Sequence, residues 1–323
     1  MKNYNNTFST KVCEACLIEY CKALKCKEVP IIDLSNYLFF DIGALTYLLA
    51  FCSAVKEGKV FTGFTPSFPI VLPIDKEAKQ FIFKTKIFTF SSLNEVFVQS
   101  NEFSMFENDN SFNNFYPYFP FYRIVFRDNV FNKDEYFEND CQSFVNKIVD
   151  VFFDALIKTL GFKNDMADNF WEPNKEIFEN IYKHSNSWGF SIIQCFKREI
   201  IICYADIGVG VRQTLDSFKV DILKKLPYCR EWNDGTAILG SFLPRYTRLP
   251  GKSRGLGLYF LENYINTHLG CMEYRSGNAK VVFTPKPGKD QMHHKGFFVE
   301  YIPGVQIIIR IPSPIWKHKF SYD

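Results

Sequence analysis

Apolar and polar residues alternate along this 323-residue chain in patterns that predict both helices and strands. Ser9 to Lys25 has apolar residues at helical spacing, and Ile42 to Val55 is an uncharged apolar run with the length of a buried helix. Strand-like runs, Val29 to Leu34 and Gly58 to Phe64, flank the second helix. This order predicts a small α/β domain with one buried helix.

The middle of the chain is less regular. Phe81 to Asp128 predicts short aromatic strands separated by polar loops, and Asn132 to Asn139 is charged and rich in turn residues. We therefore expect a domain boundary at this point. The N-terminal domain would cover residues 1–135 and the C-terminal domain residues 136–323.

Helices and strands follow in a definite order in the C-terminal half. Cys141 to Leu160 and Asn164 to His184 have helical periodicity. Trp188 to Phe196 and Glu199 to Tyr204 are strand-like and joined by a tight turn, and a further helical pattern starts near Val211. This half is predicted to be a second α/β domain.

Charge and targeting signals narrow the class of protein. A net charge of +3, from 38 basic and 35 acidic residues, gives no electrostatic footprint for nucleic acid or an anionic membrane. The first residues, Met1 to Lys11, lack the apolar core of a secretory signal. We expect a soluble cytoplasmic protein whose partners include neither nucleic acid nor membrane.

Four of the ten cysteines lie close together near the N terminus, at Cys13, Cys16, Cys21 and Cys26. Their C-x-x-C start is compatible with zinc binding. The alternative is that Cys13 and Cys16 contribute to the apolar face of one helix, because the later spacing is unlike a zinc knuckle and no His is near. Both interpretations stay open at this point.

Three polar segments could carry chemistry. In the first, Glu176, Asn180, Lys183 and His184 lie at i, i+4, i+7 and i+8, which is one face of a helix. A carboxylate, a carboxamide and a cation on one face can orient water, hold Mg²⁺ through oxygen and neutralise phosphate. Most such stripes are solvated faces, so context has to decide.

The second segment, Asp206-x-Gly208-x-Gly210, follows a strand. Its carboxylate can accept a hydrogen bond from an exocyclic amine, and the glycines let the backbone turn sharply near a ligand. The third segment, Gly251 to Leu258, opens a helix, where unpaired backbone N–H groups attract an anion. Lys252 and Arg254 add positive charge there.

The order of these segments resembles the histidine-kinase-like (GHKL) ATPase superfamily. Glu176 to Ser185 is similar to its N-box, Asp206 to Gly210 to its first glycine box and Gly251 to Leu258 to its second. Gly304 to Pro312 is similar to its last strand. The resemblance implies a Bergerat-fold α/β sandwich, a mixed sheet with helices on one face, that binds ATP and Mg²⁺.

The resemblance also implies roles for single residues. Asn180 matches the Mg²⁺ ligand, and Asp206 matches the residue that binds the adenine amino group. Glu176 occupies the place of the general base in hydrolysing members, and Lys183 that of a phosphate-contacting lysine. The remaining implied nucleotide contacts come from the two glycine boxes: Gly208, Gly210, Lys252, Arg254, Gly255, Leu256 and Gly257. Val211 to Pro250 would form the mobile ATP lid.

Some features depart from the family pattern. Pro285 to Gly296 is an insertion between the last two strands, where His293 and His294 indicate an exposed loop more than a metal site. We do not interpret His184 as a phosphoacceptor. Because Cys141 to Leu160 contains no His, a conventional two-component histidine kinase is not expected.

The N-terminal half is similar, over fewer residues, to STAS domains. Asp33-Leu-Ser-Asn and Phe39-Phe-Asp41-Ile-Gly43 carry that likeness, although Ile42 and Gly43 stand where the family has its phosphorylated serine. An unrelated α/β module is the alternative.

Together, these resemblances imply a Mg-ATP-binding regulator similar to anti-sigma-factor kinases, with ATPase or serine-protein-kinase activity, that recognises a protein partner. A non-catalytic ATP-gated interaction module is the second hypothesis. A chaperone- or repair-type ATPase is disfavoured, and a homodimer is compatible with either of the first two.

Overall fold

A computed structural model describes residues 6–62, 68–85, 121–126, 150, 164–184, 189–195, 199–244, 257–286, 288–289 and 292–312. The chain divides into two compact units, Met1–Pro117 and Tyr118–Asp323. Each unit is described by itself below.

The N-terminal unit combines helices with short parallel strand pairs. Its elements are β1 (Thr7–Phe8), α1 (Thr10–Lys25), β2 (Ile32–Asp33), β3 (Phe39–Phe40), α2 (Ile42–Lys56), β4 (Ile70–Val71) and α3 (Lys76–Thr85). β1 pairs with β3 and β2 pairs with β4, both in parallel. An α/β unit is therefore confirmed at the level of its secondary structure.

Two predicted helices of this unit are confirmed. Ser9 caps α1, because its hydroxyl accepts a hydrogen bond from the Val12 N–H at 3.4 Å. Asp41 caps α2 through the Gly43 N–H at 2.8 Å. Every residue of α2 from Ile42 to Val55 is buried, as its uncharged sequence predicts. Among the described residues no helix is both long and apolar enough to cross a membrane.

The clustered cysteines take different positions on α1. Cys13 and Cys21 are buried in the apolar face of the helix, Cys16 is half-buried, and Cys26 is the exposed residue that ends it. Within the described ranges no group of three or more His, Cys, Asp or Glu residues has an arrangement suited to a metal ion. The burial of Cys13 and Cys21 favours the helical-face interpretation.

The prediction of aromatic strands from Phe81 onward is wrong at its start. Residues 81–85 are the last part of α3, which Asp75 caps by accepting the Ala78 N–H at 2.8 Å. The cap and the helical spacing of Ala78 and Ile82, both buried, favour a helix over a strand. A strand is present later, at residues 121–126, and the rest of this stretch lies outside the described residues.

The C-terminal unit is built on a five-stranded sheet. Its elements are β5 (Phe121–Phe126), α4 (Asn164–His184), β6 (Gly189–Cys195), β7 (Glu199–Asp206), α5 (Gly210–Leu215), a 3₁₀ turn (Asp216–Phe218), α6 (Lys219–Lys225), α7 (Asp234–Ser241), α8 (Gly257–Thr267), β8 (Cys271–Thr284) and β9 (His293–Pro312). The strand order is β5-β6-β7-β9-β8. Helix α4 and the strands β6 and β7 agree with the predicted elements, whereas Cys141 to Leu160 lies outside the described residues apart from Asp150.

The sheet corrects two expectations. All of its neighbouring strands are antiparallel, so it is not the mixed sheet that the resemblance implied. Only three residues separate β6 from β7, so the chain returns beside itself there, which gives antiparallel neighbours. In addition, β5 pairs with β6 over its whole length. This pairing puts β5 in the C-terminal unit, ahead of the boundary expected at residue 135.

Helices cover one face of this sheet. Ile193, Ile202 and Ile309 on that face join a core cluster with Phe178 of α4 and Leu261 of α8. On the opposite face, the apolar side chains of the central strands are buried as well: Phe190, Ile192, Ile201, Cys203 and Ile308. Burial on both faces explains why β7 reads as an almost continuous apolar run and not as an alternating one.

Candidate functional site

Helix α4 carries the predicted polar stripe and is anchored by a buried polar contact. Pro173 lies inside the helix and cannot donate a backbone hydrogen bond. One residue later, the Asn174 carboxamide donates to the Phe170 carbonyl at 3.0 Å, and its oxygen accepts the hydroxyl of Tyr204 in β7. Burial holds the pKa of Tyr204 well above its usual range, so the hydroxyl keeps its proton. This contact fixes the position of α4 on the sheet.

The stripe itself has the predicted orientation where its side chains are described. Glu176 and Asn180 are partly exposed, whereas Ile177, Phe178 and Ile181 are buried. Lys183 and His184 end α4, and their side chains lie outside the described residues. The helix therefore presents a carboxylate and a carboxamide one turn apart and buries its apolar side.

Glu176 joins α4 to the start of α8. Its Oε2 atom accepts a hydrogen bond from the Gly257 N–H at 2.5 Å. A Cβ atom added at Gly257 would lie 2.2 Å from that oxygen and 2.6 Å from the Glu176 Cβ, so only glycine fits. The carboxylate thus occupies a favourable position at the positive end of the α8 dipole. The structure thus brings Glu176 of the first polar segment and Gly257 of the third together.

Asp206 ends β7 and is 5% exposed. Its Oδ1 atom accepts the Gly208 N–H at 2.8 Å, which holds the following loop in a tight turn. Gly189 of β6 lies opposite Asp206 and is packed against α4: an added Cβ would be 2.3 Å from Ile181 Cγ2 and 3.6 Å from the Asp206 Cβ. The missing side chain at Gly189 lets α4 approach the end of β7 closely.

The loop after Asp206 is held by residues that the sequence comparison did not single out. Gly210 has a φ of +75°, and its neighbour Val211 donates its N–H to the Ser276 hydroxyl at 3.0 Å. That hydroxyl donates in turn to the Gly304 carbonyl at 2.9 Å. Gln306 adds a bond from its side-chain nitrogen to the Asp206 carbonyl at 3.0 Å.

Gly304 makes the closest approach in this loop. Its φ is +78°, and an added Cβ would lie 2.2 Å from the Asp206 carbonyl oxygen. A glycine inside a β-strand pattern is a sequence signal for such an approach. Ser276 and Gln306 have no comparable signal, because their contacts depend on which strands become neighbours.

Several predicted nucleotide contacts lie outside the described residues. These are Lys252, Arg254, Gly255 and Leu256, together with the side chain of Lys183. The structure therefore brings Gly257 to Glu176 of α4 and places the end of β7, with Asp206, close to Ile181 of the same helix. It gives no test of the cationic part of the site.

The predicted mobile lid needs correction. Most of Val211 to Pro250 forms α5, α6, α7 and the 3₁₀ turn, and the described part ends at residue 244. Apolar residues of these helices belong to the core cluster of the unit: Val211, Leu215, Ile222, Leu226, Ala237, Ile238 and Phe242. Moving these residues out of the core would cost about 1.5–3 kcal/mol for each large side chain. The packing of residues 211–242 in the core therefore argues against a mobile lid over that range.

An open cleft of about 710 Å³ lies beside the first glycine box. It is lined by polar residues of α5 together with Asp234, Asn278 and Tyr301. Val209 of the first glycine box also contributes to its lining. Of the predicted nucleotide contacts that the structure describes, none is among the lining residues.

The insertion after β8 is fixed to helix α8. Glu262 accepts the Met292 N–H at 3.0 Å, and Asn266 accepts the Lys286 N–H at 2.8 Å while donating to the Lys289 carbonyl at 2.6 Å. Burial raises the pKa of the Glu262 carboxyl group, and the bond from Met292 opposes that rise. The insertion is thus an ordered part of the unit where it is described.

The exposed loop predicted for His293 and His294 is wrong, because both residues pair with β8 as the first residues of β9. The His294 ring stacks on Tyr228 with centroids 6.0 Å apart. Burial and the neighbouring His293 lower the pKa of His294. An aromatic contact accounts for His294 without a metal ion.

Neither a scan of known protein families nor a search of curated proteins gives a match for this chain. Its function is therefore argued from the residues above.

Proposed function

We propose that the Tyr118–Asp323 unit is a Mg-ATP-binding regulatory module of the histidine-kinase-like ATPase class with a Bergerat fold. The observation that carries this proposal is the convergence of two separate segments, those of Asp206 and Gly257, on α4. Glu176 of the helix bonds to Gly257, and Ile181 of the same helix packs across Gly189 towards Asp206. These are the segments in which the sequence resembles the nucleotide-binding boxes.

Asp206 is suited to recognise adenine. A carboxylate can accept about four hydrogen bonds, so accepting the Gly208 N–H is compatible with accepting an exocyclic amine. Its low exposure would make such a bond stronger than in water. The proposed contact also explains why the loop that follows is held so closely by Gly304 and Ser276.

The residues present fit a magnesium ion that comes with the nucleotide. Mg²⁺ keeps several waters and is usually bound through substrate phosphates and one or two protein oxygens. The partly exposed Asn180 can supply one carboxamide oxygen. Lys183, Lys252, Arg254 and the backbone of the second glycine box would neutralise and hold the phosphates.

Nucleotide binding can be tested with a variant that keeps the local fold. In Asp206→Asn, the amide oxygen can still accept the Gly208 N–H, but the second position becomes an NH₂ group that cannot accept the adenine amine. We expect calorimetry to detect Mg-ATP binding by the wild type and at least tenfold weaker binding by the variant. Equal affinities of the two proteins for Mg-ATP would show that Asp206 does not bind the nucleotide.

Nucleotide binding does not by itself imply catalysis, and one observation favours a non-catalytic function as a second candidate. The Glu176 carboxylate is engaged by the Gly257 N–H, which suits a non-catalytic ATP-gated interaction module in which Glu176 fixes the helices. In the enzymatic alternative, an ATPase or a serine-protein-kinase-like regulator, Glu176 is the general base.

Glu176→Gln separates the two candidates, because glutamine can accept the Gly257 bond but cannot take a proton. If phosphate release is about 100-fold slower in the variant and its ATP affinity is unchanged, Glu176 acts as the general base. Turnover that is absent in the wild type, or equal in both proteins, supports the gated module.

The N-terminal unit is proposed to be a STAS-like regulatory domain that engages a protein partner. Its support is the order of β2, β3 and α2 and the position of Asp41 at the start of α2. Because Ile42 and Gly43 follow Asp41 and are buried, phosphorylation at these positions is not part of the proposal.

A further inference from the structure

The β8–β9 hairpin extends beyond the rest of the sheet. β7 pairs with β9 only from Gln306 to Pro312, whereas β8 continues to pair along β9 back to His293. Among the strands that the structure describes, residues 293–305 therefore have a neighbour on one edge only. Backbone groups on the other edge form a template for a further strand.

This edge carries exposed aromatic side chains. His293 to Phe298 is exposed throughout, with Phe298 85% exposed and Phe297 41% exposed. Phe297 lies on one face of the hairpin, where the Nζ atoms of Lys280 and Lys295 are 5.7 and 5.2 Å from its ring centre. Phe298 lies on the opposite face, because it pairs with the buried Ala279. Large exposed apolar side chains on an open edge indicate a contact surface.

An apolar groove of about 450 Å³ lies beside Phe298. It is bounded by Leu239 of α7, and Ala279, Val281 and Gly296 contribute to its lining. A Cβ added at Gly296 would touch nothing within 4 Å, so the groove has room for a side chain there. An aromatic ring laid over Gly296 from a neighbouring strand would fill this space, as rings do over glycines at sheet edges.

The edge is complementary to itself. Two copies that pair as antiparallel strands about a two-fold axis at Phe297 place Phe297 opposite Phe297 and each Phe298 opposite Gly296 of the other copy. The ring left exposed on one copy then covers the open position of the other. At the ends of the paired segment, His294 lies opposite the Glu300 carboxylate. Arg275 donates to the Glu300 carbonyl, which fixes the bulge that ends the regular edge.

We propose that this chain forms a two-fold dimer by pairing the β9 edges of two copies around Phe297. A second copy fits better than an unrelated strand, because the exposed ring and the open glycine occur at matching positions of one segment. The dimer continues the five-stranded sheet across the two copies. This inference does not depend on nucleotide binding.

The oligomeric state tests the proposal. Sedimentation velocity of the full chain between 1 and about 100 μM should show a concentration-dependent monomer–dimer equilibrium. Phe298→Ser should raise the dimer dissociation constant about tenfold or more, because it removes both rings that cover Gly296. Phe260→Ser, at a 48% exposed ring on α8, is the matched control and should leave it unchanged. A chain that is monomeric throughout, or an equal shift in both variants, overturns the proposal.

Cysteine cross-linking tests the register. Residues directly opposite in antiparallel strands have Cα atoms 4.5–5.5 Å apart, within the range of a disulfide. Phe297→Cys should give a disulfide-linked dimer on mild oxidation, since residue 297 faces itself, and Phe298→Cys should not. The wild type, with its native cysteines, supplies the background. Equal cross-linking in both variants would contradict a two-fold axis at Phe297.

Discussion

Two regions of the C-terminal unit use glycine in opposite ways. Around Asp206, Gly189 and Gly304 are pressed against neighbouring atoms at distances that no Cβ tolerates. In the outer part of the β8–β9 hairpin, Gly288 and Gly296 have nothing within 4 Å of an added Cβ. Glycine therefore marks close backbone approach around Asp206 and open surface in the outer part of the hairpin.

This contrast shows that the backbone around Asp206 is more constrained than the backbone of the outer hairpin. Around Asp206, backbone and side-chain groups are connected through Gly208, Ser276 and Gln306, so a ligand there would meet a rigid surface. The hairpin presents exposed rings and an apolar groove, which suit contact with another protein surface. The surroundings of Asp206 and the outer part of the hairpin are thus proposed to serve different partners, a nucleotide and a second copy.

The largest expected effect is that of Gly304→Ala, which is compared with two other glycine-to-alanine changes. Gly304→Ala should destabilise the unit by about 3 kcal/mol, because it combines a positive φ with a clash against the Asp206 carbonyl. Gly288→Ala should cost about 1 kcal/mol, since its φ is +74° but its surroundings are open. Gly296→Ala should stay within about 0.5 kcal/mol.

Urea unfolding of the three variants gives this ranking directly. If Gly296→Ala destabilised the protein as much as Gly304→Ala, the contrast between the surroundings of Asp206 and the outer hairpin would be wrong.

A smaller effect is expected from removing one buried hydroxyl. Tyr204→Phe leaves the Asn174 oxygen without its partner in the core, which should cost about 2 kcal/mol. Tyr301→Phe, on the exposed hairpin, is the matched change and should cost less than about 0.5 kcal/mol. Chemical denaturation measures both losses in the free energy of unfolding. Similar losses for the two variants would show that the Tyr204–Asn174 hydrogen bond does not anchor α4.

The smallest effect concerns Glu262, which ties α8 to the loop before β9. Burial raises the pKa of this carboxyl group in the folded state. Between about pH 4.3 and the raised pKa, the folded protein binds more protons than the unfolded chain. The free energy of unfolding therefore falls as the pH rises through this range. Glu262→Gln keeps an acceptor for the Met292 N–H without a charge. The variant should be slightly more stable than the wild type at pH 8, with the gain absent at pH 4. A gain that did not change with pH would contradict this account.

The helices were the most predictable part of the fold. Ser9 and Asp41 are capping residues ahead of apolar runs, and α4 has clear helical periodicity, so local sequence is enough to predict these elements. Contacts between distant segments were not predictable from local pattern. Nothing in the sequence of β5 shows that it pairs with β6, because strand pairing depends on the whole sheet.

The lid shows how an analogy can mislead. Val211, Leu215 and Ile222 have the spacing of buried helical residues, yet the resemblance assigned their segment to a mobile lid. Within the site, the resemblance pointed to Glu176, Asp206 and the glycines. It could not anticipate that Glu176 would bond to the Gly257 N–H, because that contact joins residues far apart in sequence.

The central claim is that Asp206 and its surroundings bind ATP. The most direct measurement is the melting temperature of the wild type and of Asp206→Asn with Mg-ATP or Mg-GTP at about 100 times the dissociation constant measured for ATP. We expect ATP to stabilise the wild type by about 2.7 kcal/mol and the variant, with its at least tenfold weaker binding, by about 1.4 kcal/mol or less. GTP has a carbonyl in place of the adenine amine, which the Asp206 carboxylate cannot bond, and should stabilise the wild type much less than ATP does. A wild type that ATP does not stabilise, or a variant that ATP stabilises equally, would contradict the account.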